Sequence, residues 1–363
     1  MAAAALPEQM QALVLSAYGP PPFPLHVETR PIPRPGPGEV LVRVAASPVN
    51  PSDLMFLEGR YAFKKELPAI PGIEGSGRVV ATGSGLLARR LANRRVACAT
   101  MPKGGGAWAQ YAVASAGQCF ALPDRIDDER GAMTLVNPLA ALGLIERVDA
   151  LRSPAFISTA AGSALGQMLR RLARARHVEV INVVRSADQA ERLRREGVDH
   201  VLVSLDADFE LQLKNLCARL EARVALDAIG GTMTARLLSA LPRHGRVILY
   251  GALAIEASVL NPADVIFGDK VMEGFYVPNW LAKKSLPQII LLQRRVIKLL
   301  GSDLSTAIRA RARLDEAAQA IADYANSMTG GKLLILPNVA PAQDTRRRPG
   351  EHGRAGQARW SRP

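Results

Sequence analysis

At 363 residues, 48% of them hydrophobic and 22% charged, the chain has the composition of a soluble globular protein, and its length suggests two or three domains at roughly 150 residues each. Disorder over most of the length is thereby excluded. No stretch reaches the ~18 uninterrupted apolar residues of a spanning helix, which excludes an integral membrane protein. The opening MAAAALPEQM has neither a basic n-region nor a long apolar h-region, so no secretion is expected. The net charge of +13 comes from 46 basic and 33 acidic residues. Six Arg against Asp344 and Glu351 place part of it in residues 339–363, and the rest is spread along helical patterns such as LRRLARAR with no interleaved aromatics. Neither a nucleic-acid nor a membrane partner is therefore expected. Cys98, Cys119 and Cys217 have neither metal nor disulfide spacing, which predicts a reduced, cytoplasmic setting.

In chain order, QALVLSAYG, EVLVRVAASPV, GSGRVVATG, RRVACAT and AWAQYAVAS are short apolar or alternating runs punctuated by Pro and Gly, the pattern of a small barrel or sandwich. From about Asp127 the texture changes. ERGAMTLVNPLAALGLIERV has helical spacing, and strands then alternate with helices. In ALGQMLRRLARAR, Leu165, Met168, Leu169 and Leu172 form one apolar stripe. PAFISTA, VEVINVV, HVLVS, RVALDAIG and GRVILYG read as the strands of a parallel, doubly wound sheet with its ligand at the carboxyl ends. WLAKKSLPQIILLQRRVIKLLG and LDEAAQAIADYA are helical, and KLLILP is a last strand. The expected divisions are a first domain over 10–127, a nucleotide-binding domain over 128–277, a return segment over 278–338 and a disordered basic tail over 339–363.

The loop AAGSALG between strand and helix lets backbone approach a pyrophosphate, with free N–H groups and a positive dipole at the helix start. It is not G-x-G-x-x-G, and small-residue turns also occur without nucleotide. About 20 residues on, where an NAD site places an acidic residue, the chain has Arg185 in INVVRSAD. A guanidinium can hold a 2′-phosphate by paired charge-assisted hydrogen bonds, so NADPH is favoured over NADH.

At these residues the chain resembles the medium-chain dehydrogenase/reductase superfamily from about Met10 to Pro337. SPVNPSDLMFLEGRYAFKKELPAIPGIEGSGRVVATG is most similar to the zinc-free 2-enoyl thioester reductases, as are TLVNPLAALGL, INVVR, YGAL, GFYVPNW and GGKLLIL. The resemblance implies a GroES-like β-barrel catalytic domain joined to a Rossmann domain. Quinone reductases of the same superfamily share the architecture and part of PVNPSD. Zinc enzymes of the superfamily carry a Cys in the segment that reads Pro48-Val49-Asn50-Pro51 here, and a His where Ile73 precedes Glu74. A catalytic zinc needs three protein ligands, and no metal is expected.

A zinc-free enzyme of this kind is implied to send hydride to Cβ of an α,β-unsaturated thioester and a proton to Cα. Tyr61 in EGRYAF matches the family's proton donor, and a phenol is protonated at neutral pH. A packing Tyr beside Phe56 and Phe63 is the alternative for that residue. Carried over from the family, Asn137 faces the nicotinamide. Gly162, Ser163, Ala164 and Leu165 line the pyrophosphate, and Arg185 with Ser186 the 2′-phosphate. Tyr250, Gly251, Ala252 and Leu253, with Phe275, Tyr276 and Val277, border the nicotinamide side, and Lys332 is a further cofactor contact. Asn50 and Trp280 belong to the substrate pocket, although a core Trp explains Trp280 equally well. LLARRLANRRVA replaces the family's Gly-Asp turn, and SADQ lacks the second basic residue that the mitochondrial type places after the Arg. An NADPH-dependent enoyl thioester reductase, an NADPH:quinone reductase and a catalytically silent nucleotide-binding protein therefore stand as readings, each acting on or binding a small molecule, with a homodimer as the expected assembly.

Overall fold

A computed structural model of the chain describes residues 6–100 and 105–339, so 340–363 of the expected disordered tail lie outside the described residues. β1 (Gln9–Leu15) and β2 (Leu25–Pro31) form an antiparallel pair at the start of the chain. Then come β3 (Glu39–Pro48), α1 (Pro51–Leu57), β4 (Glu74–Thr82), α2 (Leu86–Arg90), β5 (Arg95–Ala99), β6 (Tyr111–Ser115) and β7 (Cys119–Ala121). β3, β4, β5 and β7 pair antiparallel in that order, with β6 along the first half of the free edge of β3. Inward residues of these strands, Val40, Val42, Val79, Val96 and Ala114, close one core. LLARR, in the segment that replaces the family's Gly-Asp turn, makes the short α2, with Arg89 and Arg90 in its last turn, where cations suit the negative end of a helix dipole. Cys98 and Cys119 face each other across β5 and β7 as free, buried thiols, a proximity that their separation in sequence hides.

The segment expected as one helix from Glu129 divides into α3 (Asp128–Ala132) and α4 (Val136–Ala150). The Asp127 side chain caps α3, accepting the Arg130 N–H at 2.7 Å. β8 (Ala155–Ser158), α5 (Ala164–Arg174), β9 (Glu179–Val184), α6 (Ala187–Arg195), β10 (Val201–Val203), α7 (Phe209–Arg219), β11 (Val224–Asp227), α8 (Thr232–Ala240), β12 (Arg246–Leu249), α9 (Pro262–Ile266) and β13 (Val271–Gly274) alternate as the apolar pattern predicts. All six strands are parallel in the order β10-β9-β8-β11-β12-β13, the 3-2-1-4-5-6 order of a dinucleotide-binding sheet, whose crevice opens where the order reverses. Here that point lies between β8 and β11. The stripe Leu165, Met168, Leu169 and Leu172 is buried against Phe156, Val180 and α4, each side chain contributing about 1.5–3 kcal/mol by leaving water.

The last part of the chain comprises α10 (Val277–Ala282), α11 (Leu286–Leu299), β14 (Ile308–Ala312), α12 (Leu314–Asn326) and β15 (Lys332–Ile335). β15 pairs with β3 through Ser47 and Pro48, and β14 lies on β15. The return into the first sheet therefore begins at β14, later than residue 278. Leu292, Val296, Leu300 and Leu304 pack instead in the core shared with α4 and α5, because the apolar face of α11 matches that surface. Among the described residues no helix is long and apolar enough to cross a membrane.

Candidate active site

At the carboxyl end of β8, Ser163 caps α5, its hydroxyl accepting the Gly166 N–H at 3.1 Å. The N–H groups of Ala164 and Leu165, in the first turn of the helix, have no partner within it. Gly162 faces open space, with no atom within 4 Å of a built Cβ, whereas a Cβ at Gly166 would lie 2.5 Å from the Ala161 carbonyl oxygen. One glycine leaves room for a ligand and the other lets helix and loop touch. At the end of β9, Arg185 is exposed. Only its backbone N–H is engaged, by Gln189 at 3.0 Å, and its guanidinium has no ion pair or hydrogen bond among the described residues. Ser186 caps α6.

After β12, the Tyr250 hydroxyl is buried without a partner among the described residues, and Gly251 presses so closely on Ala228 that a Cβ would lie 2.6 Å from its carbonyl oxygen. Asp227, which the sequence reading passed over, organises this rim. Its carboxylate accepts from Thr159 Oγ1 at 2.9 Å, Thr234 Oγ1 at 2.7 Å, and the N–H groups of Ile229 at 2.9 Å and Gly230 at 3.3 Å. The open glycine and the free helix start suit a pyrophosphate, and the unpaired guanidinium suits a further phosphate near Arg185.

Across the cleft, the first domain contributes Tyr61. The Arg60 and Tyr61 N–H groups both donate to the Met55 carbonyl, at 2.8 and 3.1 Å, which anchors the turn after α1. The Tyr61 ring meets Phe63 edge-on with centroids 5.2 Å apart, so its body packs as the packing alternative supposed. Its hydroxyl lies against the phenol of Tyr276 from the other domain, and burial pushes its pKa further above the ordinary tyrosine value. Arg60 reaches over the same boundary, donating to the carbonyls of Ala252 at 3.0 Å and Ala254 at 3.3 Å while paired with Glu58. Nothing in EGRYAF marked Arg60 for this. Asn137, half-buried in the first turn of α4, has a side-chain amide without a hydrogen-bond partner among the described residues.

Beneath Tyr61 lies a buried polar network. Asn50 Nδ2 donates to Glu74 Oε1 at 2.9 Å, and Lys332 Nζ donates to Asn50 Oδ1 at 2.5 Å and to the Val49 carbonyl at 3.3 Å. Asp53 accepts the N–H groups of Asn50 at 2.8 Å and Ile73 at 2.9 Å. Burial raises the Asp53 carboxyl to about 7, raises Glu74, and lowers Lys332 to about 8, with the two carboxyls opposing that last shift.

Two expected site residues stand elsewhere. Asn50 and Lys332 are 1% and 3% exposed, with their polar atoms turned inward, so neither lines an open pocket or presents a donor to a cofactor. Trp280 packs with Phe275 against Gly143 of α4 and donates its indole N–H to Glu146 at 3.4 Å, so the core explanation fits it. Both rings turn towards α4 because only a glycine there leaves them room. Asp53 and Glu74 were visible in PVNPSD and GIEG, yet a sequence pattern does not reveal that they are buried side by side.

The chain matches the family described as Alcohol dehydrogenase GroES-like domain over residues 36–124 and the one described as Zinc-binding dehydrogenase over residues 164–293. It is 30% identical over 307 residues to the mitochondrial enoyl-[acyl-carrier-protein] reductase of Caenorhabditis elegans, spanning 82% of this chain and 87% of that one. Its structure is similar to that of a Mesorhizobium loti protein described as an NADPH:quinone reductase, with TM-score 0.86 and 32% identity over 92% of this chain and all of that one. It is also similar to that of mycobacterial Rv1454c, solved with NADPH, with TM-score 0.78 and 25% identity over 90% of this chain and all of that one. The donors here do not fit the metal that the second family description names. Among the described residues no three His, Cys, Asp or Glu side chains come together to hold one, and beside Asn50 and Glu74 the cation is the Lys332 ammonium.

Proposed function

The chain belongs to the medium-chain dehydrogenase/reductase superfamily, in the branch that holds enoyl reductases and quinone reductases, and from that membership we propose that it reduces the carbon–carbon double bond of 2-enoyl thioesters with NADPH. The observation that carries this reading is a neutral phenol, Tyr61, held at the domain boundary facing the rim of the nucleotide crevice. Gly162 to Leu165 would hold the pyrophosphate, Arg185 the 2′-phosphate, and Asn137 with the Tyr250–Leu253 segment the nicotinamide end. When bound, NADPH supplies the hydride that adds to Cβ. Tyr61 keeps its proton at neutral pH because burial disfavours the phenolate, and delivers it to Cα of the enolate that forms on the substrate. The Met55 carbonyl and the Phe63 ring hold the phenol in place, which spares the entropy of orienting it in each turnover. Arg60 ties the Ala252–Ala254 rim to the Tyr61 turn, keeping the two halves of the site in register.

A quinone acceptor is the second reading, favoured by the Mesorhizobium loti relative. Quinone reduction protonates oxygen and needs no dedicated carbon acid. NADPH oxidation followed with crotonyl-CoA and a simple quinone side by side decides between them. Turnover of crotonyl-CoA is expected, activity on the quinone alone would transfer the assignment, and no oxidation with either would leave the silent nucleotide-binding protein.

We also propose a homodimer in a reducing, cytoplasmic setting. β13 is the outer strand of its sheet and carries apolar side chains exposed to solvent, Val271 at 38% and Met272 at 44%, with Phe267 at 72% nearby. An uncovered apolar edge favours pairing with a like strand. Light scattering should give twice the 38.9 kDa chain mass, and Val271→Lys should shift it to the monomer. A monomeric unaltered protein would remove the dimer.

A further inference from the structure

We propose that Lys332, Asn50 and Glu74 act as positioning residues, a hydrogen-bonded chain that carries the charge of the last strand to the first turn of α4 and holds Asn137 at the nicotinamide end of the cleft; this rests on the reading of that cleft as an NADPH site. The chain starts at the first residue of β15. Only an acceptor can face an ammonium, so the 2.5 Å contact with Lys332 turns Oδ1 of Asn50 towards Lys332 and Nδ2 towards Glu74. The second oxygen of Glu74 accepts the N–H groups of Leu135 at 2.9 Å and Val136 at 3.0 Å. Leu135 at the start of α4 has no capping side chain of its own. A carboxylate from β4 therefore satisfies two donors that the helix leaves orphaned and meets the positive end of its dipole.

Asn137 follows Val136 directly, so the position of this turn sets where its amide points. Asp53 does not take part in the chain, since its oxygens are committed to the N–H groups of Asn50 and Ile73. Every link is buried, so removing one leaves a charge or a donor unpaired away from bulk solvent.

The test reverses one bond. In Glu74→Gln the new NH2 faces either the Asn50 amide or the Leu135 and Val136 N–H groups, donor to donor in both cases, and in Asn50→Asp two carboxylates meet. The double variant Asn50→Asp/Glu74→Gln restores the contact with donor and acceptor exchanged, leaves the number of carboxyls beside Lys332 unchanged, and leaves an oxygen for Leu135 and Val136. NADPH affinity is read by nucleotide fluorescence, kcat and acceptor KM with whichever of crotonyl-CoA or quinone the unaltered protein reduces, and folding by thermal melting. Each single variant is expected to weaken NADPH binding and lower kcat by about tenfold, the loss of one buried charged hydrogen bond, with acceptor KM nearly unchanged. The double variant is expected to recover both to within about threefold.

Should a single variant fail to fold, Lys332→Arg takes its place, expected to retain the NADPH affinity that Lys332→Met loses. Single variants that melt lower yet bind NADPH and turn over normally would make the network purely structural, and a double variant no better than the singles would break the chain as drawn. Failure to reduce either acceptor overturns the functional reading alone, because the NADPH titrations still decide the network. An unaltered protein that does not bind NADPH overturns both.

Discussion

Tyr61→Phe is expected to lower turnover of crotonyl-CoA by about 10²–10⁴-fold, the range a positioned proton donor contributes, while NADPH affinity and melting temperature stay close to those of the unaltered protein. The ring contact with Phe63 survives the change, and only the hydroxyl beside Tyr276 is lost. The burial that raises the pKa of Tyr61 makes it a weaker acid in its resting state and keeps it fully protonated across the neutral range. A thioester enolate is basic enough to take that proton, so the rate is set by positioning more than by acidity. Steady-state kinetics with crotonyl-CoA checks the prediction. Unchanged turnover would make Tyr61 a packing residue, as its aromatic neighbours alone would allow.

Arg185→Ala is expected to raise the Michaelis constant for NADPH by about 10–100-fold, since a charge-assisted hydrogen bond to phosphate contributes about 1.5–3 kcal/mol. NADH should be almost unaffected, because the exposed guanidinium binds nothing else in the described residues. For the same reason the change should leave stability within about 0.5 kcal/mol. Kinetics with the two cofactors side by side provides the check, and equal losses with both would end the 2′-phosphate role. Ser186, whose hydroxyl already caps α6, should contribute less than Arg185.

Much of the architecture was legible in the residues because its signals are local. The stripe from Leu165 to Leu172 and the near-continuous apolar run VEVINVV correspond to α5 and β9 at the places expected, since helical and strand periodicity are properties of neighbouring positions. A candidate site was legible where a residue sits at the end of such an element, as in the AAGSALG turn and Arg185 after β9, while Tyr61, just past α1, was marked by the family resemblance. It was illegible wherever partners come from distant segments. LLARR, which no periodicity marked, forms a short helix, α11 joined the core of α4 and α5 before the chain returned to the first sheet, and Trp280 found its place against a glycine of α4.

The sequence by itself therefore determined the order of strands and helices, the doubly wound half, the small-residue loop after β8 and the presence of a phenol and a guanidinium at element ends, because each follows from periodicity, turn chemistry or the charge of a single side chain. Only the tertiary structure decided which polar groups are buried together. Asn50, Asp53, Glu74 and Lys332 are an ordinary cap, two carboxylates and a lysine in the sequence. Pairing of β15 with β3 and docking of α4 on β4 enclose them in one buried cluster, where desolvation obliges each to find its partner. That cost exists only after the chain has closed around them.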